Sequence, residues 1–193
     1  GKHAAMLATC AVAGWPLDGY QRREHPLQRE LMGILGGFID VDLDDAPWGV
    51  DGCGLPTYGV PLTALPAAFA RARADPGFRR CQAAMAAHPF LVAGTGRFDT
   101  ALLEAAGDTL TAKIGGAAIW VASGRNDGPA VAVKLEAGSG EAIPPVALAV
   151  LRQLELLPEE LPQALQPFEH PVLRNWAGDA VGETRAAVPQ LSA

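Results

Sequence analysis

The chain has 193 residues, 49% of them apolar and 19% charged, and carries a formal net charge of −6. Such apolar content excludes intrinsic disorder, and an acidic balance with no basic block excludes an electrostatic footprint for nucleic acid. No apolar run approaches the ~20 residues of a membrane span, no signal-peptide pattern opens the chain, and three cysteines make no paired framework, so a reducing, cytoplasmic setting is expected.

Gly1 leads straight into helix-like sequence with no cap, and further residues are expected to precede it in the gene. Residues 1–13 read as a small-residue helix with Met6, Leu7, Cys10 and Ala11 on one stripe, ended by Gly14 ahead of Pro16. After a turn-rich stretch, His25-Pro26 opens a second helix over 27–34, with Leu27, Leu31, Ile34 and Leu35 on one side and Gly36-Gly37 as its stop. The acidic run containing Asp40, Asp42, Asp44 and Asp45 lacks the Gly and closing Glu of a calcium loop and is read as a solvated loop. Residues 49–56 are dense in turn formers and have no helical period.

Two Ala-rich helices are expected over 63–74 and 77–88, halted by Asp75-Pro76 and His88-Pro89. Arg71, Arg73, Arg79 and Arg80, the densest basic stretch, are read as a solvated helix face. A short helix over 100–106 follows. The pattern then turns to short β-type runs at 110–116, 117–123 and 130–136, with a hairpin-like loop at 124–128. Pro144-Pro145 starts a helix to Leu157, with Val146, Val150, Leu154 and Leu157 spaced for one buried face, and 182–188 suits a last strand. Helices first, then an antiparallel sheet with a covering helix, is an α+β layout. No repeat or long linker divides the chain, and a single domain over 1–193 is expected.

The chemistry-bearing residues are few. Gly94-Thr95-Gly96-Arg97 fails the dinucleotide fingerprint because Asp99 stands where a third glycine belongs, leaving a tight turn whose amides approach a ligand, with Thr95 and Gly96 as pocket candidates. Cys53 lies between two glycines and two residues after Asp51; glycine neighbours leave a thiol accessible, whereas Cys10 and Cys81 sit in helical stripes and read as core. Lys113, at a strand end before Gly115-Gly116, offers an ammonium to developing negative charge. There is no Ser-x-x-Lys, no Gly-x-Ser-x-Gly and no paired histidines for a zinc protease site.

Taken in order, Gly1-Lys2-His3-Ala4, Gly14-Trp15-Pro16, Gly19-Tyr20, His25-Pro26-Leu27-Gln28, the run from Gly49 to Pro56, the run from Val92 to Asp99, and Lys113-Ile114-Gly115-Gly116 resemble the L-asparaginase II family of the thermolabile, rhizobial type. The resemblance implies a fold like the serine β-lactamases and glutaminases, and hydrolysis of the side-chain amide of L-asparagine to aspartate and ammonia. It implies a serine nucleophile with a lysine base one helical turn later, both upstream of Gly1. It also implies that Lys2 and Cys53 share a zinc site with an upstream cysteine, that His3 and Asp51 lie near the substrate, that Lys113 stabilises negative charge, and that the protein is a homodimer. Ala117-Ala118-Ile119-Trp120 departs from the family's usual Gly-Ala-Glu-Gly-type run. Alternative expectations are an amidohydrolase of another substrate such as glutamine, or a non-catalytic ligand-binding member.

Overall fold

The computed structural model describes residues 1–191. It divides into two compact units, Gly1–Ala64 and Leu65–Ala193. Helices and small antiparallel sheets together make it α+β, as the sequence pattern indicates. No helix among the described residues is long and apolar enough to cross a membrane.

The first unit holds α1 (Lys2–Ala13), α2 (Pro26–Ile39) and a hairpin of β1 (Trp48–Val50) and β2 (Pro56–Tyr58). Gly14 ends α1 in the left-handed conformation that glycine adopts without a Cβ penalty. The N-cap of α2 is His25, whose Nδ1 accepts the Leu27 amide hydrogen at 3.1 Å. That bond leaves the ring proton on Nε2, which donates to the Pro16 carbonyl at 2.9 Å.

The helix α2 runs through Gly36-Gly37 instead of stopping there, and ends where Asp40 takes a left-handed φ of 61°. The amides of Asp40 and Val41 both donate to the Gly36 carbonyl, and a Cβ on Gly36 would meet the Val41 oxygen at 3.0 Å. Here glycine serves a close chain reversal beyond the helix, not the stop itself. Its buried side chains are Leu27, Gln28, Met32 and Ile39, while Ile34 and Leu35 are exposed, so the expected stripe was rotated. The acidic stretch after it is the solvated loop expected, with Asp44 paired to Arg29 at 2.7 Å.

The second unit is built on a three-stranded antiparallel sheet of β3 (Leu110–Ile114), β4 (Ile119–Gly124) and β5 (Ala130–Lys134), with β4 central. Around it lie α3 (Ala64–Ala72), α4 (Pro76–Ala87), α5 (Pro89–Ala93), α6 (Phe98–Ala106) and α7 (Ile143–Gln153). On one pleat, Leu110, Ala112, Trp120 and Ala122 pack with Leu102 of α6 and with Ile143, Leu148 and Leu151 of α7. Fully burying each large side chain of this kind is worth about 1.5–3 kcal/mol. Thr111, on the other pleat, receives a buried hydrogen bond from Gln82 of α4 at 3.1 Å. With both faces covered, β4 is nearly all buried and reads as a continuous apolar run instead of an alternation.

The buried positions of α7 are Ile143, Pro145, Ala147, Leu148, Val150 and Leu151, and the expected Val146 and Leu154 are only half-buried. The helix ends at Gln153, before Glu155 turns left-handed at φ 57°. A second, exposed hairpin of β6 (Val172–Arg174) and β7 (Ala180–Glu183) follows, where one strand over 182–188 was expected. Cys10 is buried as anticipated, but Cys81 is exposed; its helix turns that position outward.

Asp99 ties these layers together. It is almost fully buried near the start of α6, and its carboxylate accepts two hydrogen bonds from the sheet. The backbone amide of Ile114 donates to Oδ2 at 2.7 Å, and the indole Nε1 of Trp120 donates to Oδ1 at 2.9 Å. Both residues flank the β3–β4 turn, so one side chain fixes helix, turn and strand. That turn places Ala117 and Ala118 at φ 51° and 54°, the two left-handed positions of a type I′ hairpin usually filled by Asn-Gly.

Replacing Asp99 with Asn should destabilise the chain by about 1–3 kcal/mol, because an amide nitrogen would face one of the two buried donors. Urea unfolding followed by tryptophan fluorescence measures this. Ala117→Gly, at an exposed position, should raise stability by about 0.5–1 kcal/mol by removing a left-handed alanine, read as a higher melting temperature.

Candidate functional site

The first group of chemistry-bearing residues stands in the first unit and begins with the loop that joins β1 to β2. Asp51 Oδ1 accepts the amide hydrogens of Cys53 at 2.8 Å and Leu55 at 2.9 Å. The Asp51 amide donates to the Leu55 carbonyl, and the Gly54 amide donates to the Asp51 carbonyl, both at 2.9 Å. Gly54 sits at φ 80°, which only glycine takes without strain. Four hydrogen bonds over five residues leave this loop little freedom. They hold Cys53 exposed at its tip as a free thiol.

The start of α1 brings Lys2 to the same place. Its Nζ lies 3.5 Å from Asp51 Oδ2. A hydrogen bond with the Cys53 side chain holds the Lys2 ammonium above its ordinary range; partial desolvation opposes this, and the charges of Cys53 and Asp51 add to it. Asp51 is shifted the other way: the Leu55 amide lowers its pKa most, partial desolvation opposes, and the Cys53 amide and Lys2 contribute further lowering. The next residue, His3, is fixed by Tyr20, whose hydroxyl lies 2.8 Å from Nδ1 with the rings edge to face. The Tyr20 carbonyl in turn accepts from the buried Gln28 at 2.8 Å.

A brace that sequence reading missed is Arg23. Its guanidinium donates to the carbonyls of Leu43 and Asp44 at 3.1 and 3.0 Å and lies over the Trp48 ring, 5.1 Å from the centroid. Tyr58, cross-strand partner of Trp48, flanks the same cation at 6.0 Å. The aromatic pair at the hairpin's open end was the available signal, since a facing Trp and Tyr make a platform for a cation.

As a metal centre the described residues fall short. No group of three or more His, Cys, Asp or Glu side chains gathers among them. Lys2 and Cys53 would supply at most two of the four ligands of a tetrahedral zinc site. This donor set does not make a zinc site by itself.

In the second unit, Gly94 and Gly96 take φ 97° and 67°, and the Thr100 hydroxyl donates to the Gly94 carbonyl at 2.8 Å. The turn borders a cavity of about 340 Å³ whose lining includes Gly96, Arg97, Asp99, Ile114, Glu141 and Phe168. Gly96 lines it, whereas Thr95 is exposed and is not part of the wall. Lys113, opposite Val121 in the sheet, is exposed, and its Nζ donates to the neighbouring Ile114 carbonyl. The structure therefore brings Lys2, Asp51 and Cys53 together, with His3 beside Lys2, and assigns Thr95, Gly96 and Lys113 to the other unit.

The family model described as L-asparaginase II matches residues 1–186. No curated protein matches the chain.

Asp51→Ala should free the loop at 52–54, seen as reduced heteronuclear NOE values at those amides, while Asp51→Asn, which keeps the accepting Oδ1, should leave them ordered. The pH dependence follows from the two shifts. Stabilisation by the Asp51 carboxylate is complete above 3.8 and is lost as pH falls through its lower folded-state value. Stabilisation by the Lys2 ammonium is complete below 10.5 and is lost as pH rises through its higher one. The melting temperature should thus be insensitive to this pair between these limits and fall outside them.

Proposed function

Because the chain belongs to the L-asparaginase II family, a family of asparaginase-type amidohydrolases, we propose that it contributes to hydrolysis of the side-chain amide of L-asparagine. The products are L-aspartate and ammonia. The observation that carries this reading is the cluster of Lys2, Asp51 and Cys53 on a loop braced by four hydrogen bonds, next to His3. Polar groups fixed in advance recognise a charged amino acid without paying for their own ordering.

In this reading a serine hydroxyl attacks the amide carbon while a neighbouring lysine amine takes its proton. The tetrahedral oxygen gains negative charge, the lysine returns the proton to the nitrogen, and ammonia leaves. Water then cleaves the acyl ester to give the second carboxylate and restore the serine. We assign the serine and its lysine to polypeptide upstream of Gly1. Two features of the described serines support that assignment. Ser123 is buried and donates to the Gly124 carbonyl, and Ser139 is occupied in capping a helical turn.

Asp51 has a narrower role than its charge alone suggests. Oδ1 is taken by two loop amides, so only Oδ2 is open to the substrate's α-ammonium, in competition with Lys2.

Ammonia release by the protein with its upstream residues tests the proposal. The expected result is a kcat/KM for asparagine above that for glutamine by about 10- to 200-fold, the range one methylene is worth in a fitted pocket. Equal values would reject asparagine specificity. The 193-residue chain alone should release no ammonia from either amide; turnover by it would place the nucleophile within residues 1–193.

A further inference from the structure

A second cavity lies in the second unit, away from the 340 Å³ cavity by its lining, and has a volume of about 760 Å³. Its wall includes Arg73, Arg79, Gln82, Asp108, Arg125 and Asp127. Three arginines and two aspartates thus line one space, in a chain whose overall charge is −6. Charges of opposite sign lining one wall would be expected to close on one another. Among the described residues none of these five takes part in an ion pair.

Backbone contacts hold them apart. Arg73 Nε donates to the Ala70 carbonyl of its own helix at 3.3 Å, and Nη1 donates to the carbonyls of Gly124 and Gly128, the second closely. The Arg125 amide donates to the Thr109 carbonyl at 2.7 Å. A Cβ on Gly124 would meet the Gly128 Cα at 2.9 Å, so the loop between them closes tightly on its two glycines. Gln82 is committed to Thr111. Among the described residues the guanidinium groups of Arg79 and Arg125 and the carboxylates of Asp108 and Asp127, all residues of the cavity wall, make no hydrogen bond or ion pair, and Arg73 keeps Nη2 uncommitted.

We propose that this groove binds a small amino dicarboxylate, a molecule with two carboxylates and one ammonium. Guanidinium groups take carboxylates through paired N–H donors, and a carboxylate takes an ammonium. A compact polyanion such as phosphate would satisfy the arginines but leave Asp108 and Asp127 facing like charge. An amino dicarboxylate satisfies both signs. A volume of 760 Å³ admits such a ligand together with bridging water. The site stands apart from the amide-cleaving reading above, and neither depends on the other.

Isothermal titration of the 193-residue chain with L-aspartate, succinate and inorganic phosphate tests it. Saturable binding of L-aspartate is expected, at least tenfold tighter than of succinate, which lacks the ammonium, or of phosphate. The double variant Arg79→Gln/Arg125→Gln, at positions outside the packed core, should weaken L-aspartate binding at least tenfold with an unchanged melting temperature. Asp51→Asn, in the other unit, should leave that binding unaltered. No saturable binding, phosphate binding at least as tightly as L-aspartate, or loss in Asp51→Asn but not in the double variant would each overturn the proposal.

Discussion

The second unit depends on a carboxylate that forms no ion pair among the described residues. Asp99 is buried, and its two oxygens are met by one backbone amide and one indole N–H from either side of the β3–β4 turn. A buried charge is tolerated only where hydrogen bonds replace the water it has lost. That requirement makes the contact directional, which apolar packing is not. Trp120 is placed by its ring among Phe98 and the α7 leucines, but its orientation is fixed by the single polar atom it carries. Helix α6, the turn with two left-handed alanines and the central strand are therefore referenced to one side chain.

The first unit uses the same device at its surface. Asp51 organises the loop that presents Cys53, and only what remains of its carboxylate reaches Lys2. In both places an aspartate that invites a chemical reading is first an architectural element. The distinction matters for interpreting substitutions, since loss of function at either position includes loss of the backbone it holds.

Helix existence was legible wherever apolar spacing met a stop. Gly14 and the two X-Pro boundaries at 75–76 and 88–89 are true ends because each acts on local backbone freedom. Gly36-Gly37 misled because a glycine's penalty inside a helix is small beside the gain from a tight reversal with Val41. The rotation of the buried faces of α2 and α7 was not legible either, since neighbouring apolar residues leave the direction to tertiary packing. The hairpin at 48–58 hid behind its own turn formers, which were read only as lacking a helical period although they specify a hydrogen-bonded loop. At the candidate site, the resemblance implied a shared role for Lys2 and Cys53 and a place for Asp51 near the substrate; Lys2 lies beside Asp51, while Lys113 belongs to the other unit. Arg23 was missed because its partners, Trp48 and Tyr58, are distant in sequence and declare themselves only once the strands pair.

The braced loop, its lysine and the histidine beside it are contained within the first 64 residues. A constellation wholly enclosed by one folding module keeps its internal coordinates under any rigid displacement of that module. Sequence drift across the remaining two thirds of the chain can therefore remodel whatever accompanies this cluster without redrawing the cluster itself.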